Sequence, residues 1–253
     1  MADELLTEIR DRVMIITLNR PEAMNSVNLA LAEQMAAAME ELDANADLSV
    51  GVLTGNGRGF SAGMDLKAFV SGGMPNLPDR GFAGITEKAA DKPLIAAVEG
   101  FALAGGLEIA LSCDLLVASK GAKLGIPEVG VGLFAGAGAL SRLPRRLPYG
   151  MAMQMALTGE PITADVGHEF GLVQVLTERG EALDGALDLA ARVAKNCPLG
   201  LKASKQLIRD LGGVDGAFWD DQQPLIDSVF SSADAIEGAT AFAEKRAPNW
   251  TGQ

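Results

Sequence analysis

Apolar positions recur at helical spacing in some parts of the chain and gather into short unbroken runs in others. Leu5–Arg10 and Val13–Leu18 read as two short strands with Asp11-Arg12 as the turn, and Asn19-Arg20-Pro21 ends the second. Leu31, Met35, Met39 and Leu42 mark one stripe of a helix over Asn28–Ala44, with Asn28 or Ser26 as the cap. Val50–Thr54 is an apolar run of strand length. Glycine-rich Gly55–Gly63 follows, then a short helix near Asp65–Val70. Gly72, Gly73, Pro75 and Pro78 deny regular structure to Ser71–Arg80, and Gly81–Ala90 reads as a helix. Pro93–Val98 is another buried strand; Gly100–Gly106 is a small-residue loop that opens a helix reaching about Ser112; Asp114–Ala118 is again a strand.

After the glycine-rich segment Gly125–Gly138 the pattern turns helical, over Ala139–Leu147, Met151–Leu157 and Thr163–Phe170, with one last strand at Val173–Leu176. From there only helices are expected: Glu181–Asn196, Leu199–Leu211, Val214–Phe230 and Ala233–Arg246. Strands mixed with helices, then helices alone, predict an α/β core with a helical C-terminal part.

Composition narrows the functional classes. The chain has 253 residues, 48% apolar and 21% charged, so it can bury a large core without a disulfide or metal staple. The net charge is −12, which argues against non-specific nucleic-acid binding and against docking on an anionic membrane. It leaves room for a phosphate ligand held by a few local basic groups. Cys113 and Cys197 form neither a disulfide framework nor a zinc-ligand spacing, as suits a reducing cytoplasm. Met1-Ala2-Asp3-Glu4 lacks the basic flank of a leader. The most apolar region, Pro93–Ala118, is interrupted by Glu99, Glu108 and Asp114, so it reads as a buried core segment and not a bilayer span.

Three patterns could carry chemistry. Gly59-Phe60-Ser61-Ala62-Gly63 matches a nucleophile elbow, with Ser61 as nucleophile and His168 as the only histidine to serve as base. Five residues separate Thr54 from Phe60, however, where an elbow needs its serine at a strand end, and His168 falls inside a helical stretch. Gly55-Asn56-Gly57-Arg58-Gly59 has Phe60 where a dinucleotide fingerprint needs glycine. The carboxylates are more informative. Glu108 sits in the first turn of an apolar helix and Glu128 lies between Ile126 and Val129, both beside glycine-rich turns. An apolar site raises a carboxyl pKa and suits it to proton transfer. Ala104-Gly105-Gly106 and Ala62-Gly63-Met64-Asp65 each open a helix, where unpaired backbone N–H groups point outward. Two such groups converging on one oxygen would make an oxyanion hole.

These residues resemble the crotonase superfamily, the enoyl-CoA hydratase/isomerase family. The likeness runs nearly the whole chain: Ile16 to Pro21 with Met24-Asn25, Leu53 to Gly55, Phe60 to Leu66, Ile95 to Glu108, Cys113-Asp114, Ile126 to Val129, Gly136 to Gly138, Leu157 to Gly159, Gly171 to Val173 and Ala243 to Arg246. The resemblance implies a spiral of ββα units over residues 1–195 and a helical trimerisation region over 196–253, assembled as trimers or dimers of trimers. It implies an acyl-CoA substrate and no metal or redox cofactor. The Met64 and Gly105 N–H groups would form the oxyanion hole, and Ala62, Asp65, Leu66 and Lys67 would line the CoA path. Lys245 or Arg246 would meet a CoA phosphate, often that of a neighbouring subunit. Hydratases of the family carry glutamate at both catalytic positions, here Glu108 and Glu128, whereas many isomerases keep mainly the second. Isomerase, specialised dehydratase or a non-catalytic acyl-CoA binder are the alternatives. Phe134-Ala135 stands where many hydratases have Ile-Pro, and Ala139 replaces a common glycine, so the acyl-chain preference stays open.

Overall fold

A computed structural model describes residues 3–65, 74–209, 223–224 and 226–253. Strands β1 (Leu5–Arg10), β2 (Val13–Leu18), β3 (Val50–Gly55), β6 (Leu94–Val98), β8 (Leu115–Ser119) and β11 (Val175–Thr177) form a six-stranded sheet in the order β1-β2-β3-β6-β8-β11. Only β1–β2 is antiparallel; β2–β3, β3–β6, β6–β8 and β8–β11 are parallel. Parallel neighbours need crossovers, and helix α1 (Leu29–Ala44) makes the first. Asn28 caps it, its side-chain oxygen accepting from Leu31 N–H at 2.9 Å.

Alternation along the strands divides the core into two layers. Val13, Val50, Val52, Ile95, Ala97 and Val117 face α6 (Ala182–Val193), whose Ala186 and Ala190 are fully buried against them. On the other side Met14, Ile16, Leu94, Ala96, Leu116 and Ala118 join the stripe Leu31, Met35, Met39 and Leu42 of α1. Both faces of the parallel strands are therefore covered, which is why they read as continuous apolar runs.

A second sheet carries the site. Strands β7 (Phe101–Leu103), β9 (Lys123–Gly125) and β10 (Ile162–Thr163) pair in the order β10-β9-β7, with β7–β9 parallel. Helix α2 (Gly105–Ser112) starts directly after β7. Helices α3 (Ala139–Arg146), α4 (Tyr149–Thr158) and α5 (Ala164–Glu169) follow, and Thr163 caps α5. The strand triplet was not legible because Gly100–Gly106 has the composition of a loop; its strand character comes from pairing with Lys123–Gly125.

The expected helix over Gly81–Ala90 is not formed. Asn76–Leu77 (β4) instead pairs with Gly81–Phe82 (β5), and Gly81, Ala83 and Gly84 hold positive φ of 71°, 57° and 70°, which an α-helix excludes. The same pairing gives regular structure to part of Ser71–Arg80. The helix expected near Asp65–Val70 lies, from Leu66 on, outside the described residues, as does much of Val214–Phe230.

At the C-terminal end, α7 (Pro198–Arg209) is tied to the core by Lys205. Its Nζ donates to the Ala90 and Lys92 carbonyls at 2.8 Å and pairs with Asp114 at 2.7 Å. Helix α8 (Ala233–Glu244) receives the chain end: Asp234, 1% exposed, accepts from Thr251 N–H at 2.7 Å and Gly252 N–H at 2.9 Å. Among the described residues no helix is long and apolar enough to cross a membrane.

Candidate active site

The loop after β3 and the strand after β6 are distant in sequence but zipped together in space. Ser61 and Ala102 form a parallel bridge; Phe60 N–H donates to the Phe101 carbonyl at 2.9 Å and Leu103 N–H to the Ser61 carbonyl at 3.0 Å. This sets the two glycine turns side by side. A Cβ built on Gly63 would stand 2.7 Å from the Gly105 amide nitrogen, and one built on Gly105 would stand 3.4 Å from Gly63 Cα. Gly63 holds φ +92°, so glycine is required there by conformation and by space.

Backbone hydrogen bonds fix which way the amides face. Val27 N–H donates to the Gly63 carbonyl and Asp65 N–H to the Val27 carbonyl, which turns the Met64 N–H and C=O to the opposite side. Gly105 is the first residue of α2, one of the turns whose N–H groups have no intrahelical partner. Neither the Met64 nor the Gly105 N–H has an acceptor among the described residues. Ala104, just before, is held at φ 51°, a strained conformation for a residue with a Cβ. Phe82 packs its ring on Gly105: a Cβ there would be 2.6 Å from Phe82 Cε1.

Glu108, one turn into α2, is 3% exposed. Its Oε1 accepts from Ala137 N–H at 2.7 Å and Ala139 N–H at 3.1 Å. Burial pushes its carboxyl above the usual range, opposed by these two donors and by the Arg142 charge. Glu128 lies in the 3-10 turn Pro127–Val131. Its Oε2 is buried with no hydrogen-bond partner among the described residues. Burial raises this carboxyl too, and the negative charge of Glu108 raises it further. Both carboxyls are thus raised by burial, one held by amide donors and one left with an unmatched oxygen. Such a pair is suited to sharing the roles of base and acid.

The remaining expected site residues divide. Ala62 N–H donates to the Met24 carbonyl at 3.0 Å, and Asp65 accepts from Arg20 Nη2 at 3.1 Å, both beside the Met64 turn. Leu66 and Lys67 lie outside the described residues. Lys245 follows the end of α8 at φ 54°, and the partly exposed Arg246 pairs within its own chain with Glu237 and Glu244 at 2.6 Å each. The Arg246 bond, with the Asn249 N–H, holds the half-buried Glu237 carboxyl down to about 2.

The nucleophile-elbow reading of Ser61 does not survive the geometry. Ser61 is fully buried, donates to the Asn25 carbonyl at 2.8 Å and accepts from Gly63 N–H at 3.1 Å. His168 bonds the Val173 carbonyl at 2.9 Å instead. Ser61 therefore anchors the glycine turn. Asn25, 1% exposed, does similar work on the preceding loop, donating to the Asn56 and Gly59 carbonyls at 2.9 Å. Sequence reasoning missed Ala137, Ala139 and Phe82, which act through backbone amides or ring contact that residue type does not betray. No group of three or more His, Cys, Asp or Glu suited to a metal ion occurs among the described residues.

Comparison with known proteins identifies the fold and the family. The sequence profile of the enoyl-CoA hydratase/isomerase family matches residues 8–253. The crystal structure of enoyl-CoA hydratase EchA1 from Mycobacterium marinum superposes with a TM-score of 0.96 at 52% identity, covering 99% of this chain and 100% of that one. Enoyl-CoA hydratase EchA19 of Mycobacterium tuberculosis is 41% identical over 258 residues, 98% of this chain and 96% of its own. The 2,3-dehydroadipyl-CoA hydratase of Escherichia coli is 38% identical over 253 residues, 99% of each chain. The α/β fold with its helical end is thus the crotonase fold, and the chain belongs to the enoyl-CoA hydratase/isomerase family.

Proposed function

We propose that the protein is an enoyl-CoA hydratase, adding water across the 2,3 double bond of a trans-2-enoyl-CoA. One observation supports this above the rest: the turn carrying the Met64 N–H abuts the Gly105 amide, and Glu108 lies three residues along the same helix, its charge helping to raise the Glu128 carboxyl. The thioester oxygen sits between the two N–H donors, and C3 becomes electrophilic. Glu108, as carboxylate, deprotonates a water that adds at C3; Glu128, as carboxylic acid, delivers a proton to C2. Charge grows on the thioester oxygen in the transition state, so each aligned donor lowers the barrier by about 3–4 kcal/mol. Each acid–base group contributes about 10²–10⁴-fold. All of these groups belong to this chain, and CoA is part of the substrate, so the scheme needs no separate cofactor.

In this reading Ala62, Asp65, Leu66 and Lys67 line the path of the CoA moiety, and Lys245 or Arg246 meets a phosphate of CoA bound to a neighbouring subunit. Residues 1–195 form the catalytic core and 196–253 the region through which three copies, or two such trimers, associate in the cytoplasm. Product analysis tests the reading. Incubation with trans-2-enoyl-CoAs of short, medium, branched and ring-bearing acyl groups is expected to give 3-hydroxyacyl-CoA. Faster turnover of 3-enoyl-CoA to 2-enoyl-CoA would make it an isomerase instead. Tight binding without turnover on the whole panel would make it a binder.

A further inference from the structure

Arg142 is absent from the scheme above, yet it sits where the two halves of the site meet. It projects from the first turn of α3 and is half-buried. Its Nη1 donates to the Ala137 carbonyl at 3.2 Å, and its Nη2 donates to the Thr86 carbonyl. Ala137 is the residue whose N–H donates to Glu108. Thr86 belongs to the turn that holds Phe82 on Gly105: Thr86 N–H donates to the Phe82 carbonyl at 3.2 Å. One guanidinium therefore joins the turn behind the Gly105 amide to the loop that cradles Glu108. The fit is close. A Cβ on Gly138, at φ +109°, would stand 2.1 Å from Arg142 Nη1, so the guanidinium lies directly on the backbone of that loop.

We infer that Arg142 is a positioning residue for the hydration chemistry: its planar fork locks the Ala137 and Ala139 amides onto Glu108. This rests on the proposed role of Glu108. A lysine could supply charge but not two diverging donors in one plane. The electrostatic surroundings are compatible. Glu108 faces Arg142 from α3 and Glu128 from the Pro127–Val131 turn. Arg142 faces Glu108, the buried Cys113 at the end of α2, and Arg145 and Arg146 on its own helix. A half-buried arginine beside two like charges is costly unless an opposite charge offsets it, and Glu108 supplies one.

The test compares R142Q, R142K and E108Q by steady-state hydration of crotonyl-CoA across pH, with circular dichroism to check folding. Glu108 must be ionised to act as base, and Arg142 favours that form. Removing the charge therefore moves the acid limb of the kcat profile to higher pH. R142Q is expected to lower kcat about 10–100-fold, with KM little changed and the acid limb shifted upward. R142K is expected to keep the limb near its wild-type position while kcat stays depressed, because the fork is lost. A folded R142Q with an unmoved acid limb overturns the inference, as does R142K with wild-type kcat; the latter decides the matter if R142Q does not fold. E108Q separates the two levels. Full activity in E108Q defeats the reading of the site itself, whereas an inactive E108Q beside an unshifted R142Q defeats only the role of Arg142.

Discussion

Gly63→Ala tests the convergence of the two amide turns with the smallest change available. The new Cβ would lie 2.7 Å from the Gly105 nitrogen, 3.0 Å from Ala104 Cβ and 3.2 Å from the Leu103 carbonyl oxygen. The nearest of these is a backbone atom next to strained Ala104, so relief must come from the turns moving apart by several tenths of an ångström. At φ +92° an L-residue adds a conformational cost of about 1–2 kcal/mol. Stability should fall by about that amount, a drop in Tm of roughly 2–8 °C for a chain of this size. Catalysis should suffer more. A misplaced oxyanion donor costs about 2.7–4 kcal/mol in the transition state, or a 10²–10³-fold lower kcat. The assay is loss of the conjugated enoyl thioester absorbance with crotonyl-CoA, with KM and the circular dichroism spectrum measured alongside. Gly150→Ala is the control, since nothing lies within 4 Å of its Cβ and α4 is helical there. It should match wild type in rate and gain about 0.5 kcal/mol or slightly more in stability. A folded Gly63→Ala enzyme with kcat near wild type would rule out an oxyanion hole that depends on the contact of these turns.

Further outcomes follow from the same geometry. Ser61→Ala removes the acceptor of Gly63 N–H and should destabilise by about 1–3 kcal/mol while lowering hydration only in part; release of free CoA by wild type, abolished in this variant, would revive the hydrolase reading. Glu128→Gln should raise the unfolding midpoint at neutral pH. Burial, and after it the charge of Glu108, lift the Glu128 carboxyl, so its folded-state pKa lies above the unfolded value. That term favours the native state below the unfolded carboxylate range and turns against it as pH rises through the folded pKa. The advantage of the glutamine variant should therefore vanish in urea titrations near pH 4 and below, and an advantage independent of pH would contradict the burial account.

How much of this was legible depends on whether the information is local. Asn28 with the 31-35-39-42 stripe announces α1 because cap and period act within a few residues. The runs Val50–Thr54 and Pro93–Val98 announce buried strands because both of their faces are covered. Gly81–Ala90 misleads for a local reason that composition hides: two glycines and Ala83 take positive φ to fold against α1, where a Cβ on Gly84 would meet the Ala32 carbonyl at 2.3 Å. For the site, the carboxylates and glycine turns stand out as residue types. That the turns touch depends on the Ser61–Ala102 bridge, a pairing across 41 positions that no local pattern encodes. The Ala137 and Ala139 donors are backbone groups, and their partner Glu108 is 29 and 31 residues away. The family resemblance supplied what spacing alone could not, namely that these segments belong to one cavity.

In the proposed chemistry Glu108 and Glu128 work as base and acid on one thioester held by the Met64 and Gly105 amides. Its most direct measurement is kcat for crotonyl-CoA hydration in Glu108→Gln and Glu128→Gln, paired with calorimetric binding of saturated butyryl-CoA. Each variant is expected to lose about 10²–10⁴-fold in kcat while binding the saturated ester nearly as well as wild type. Undiminished hydration in either variant would contradict it.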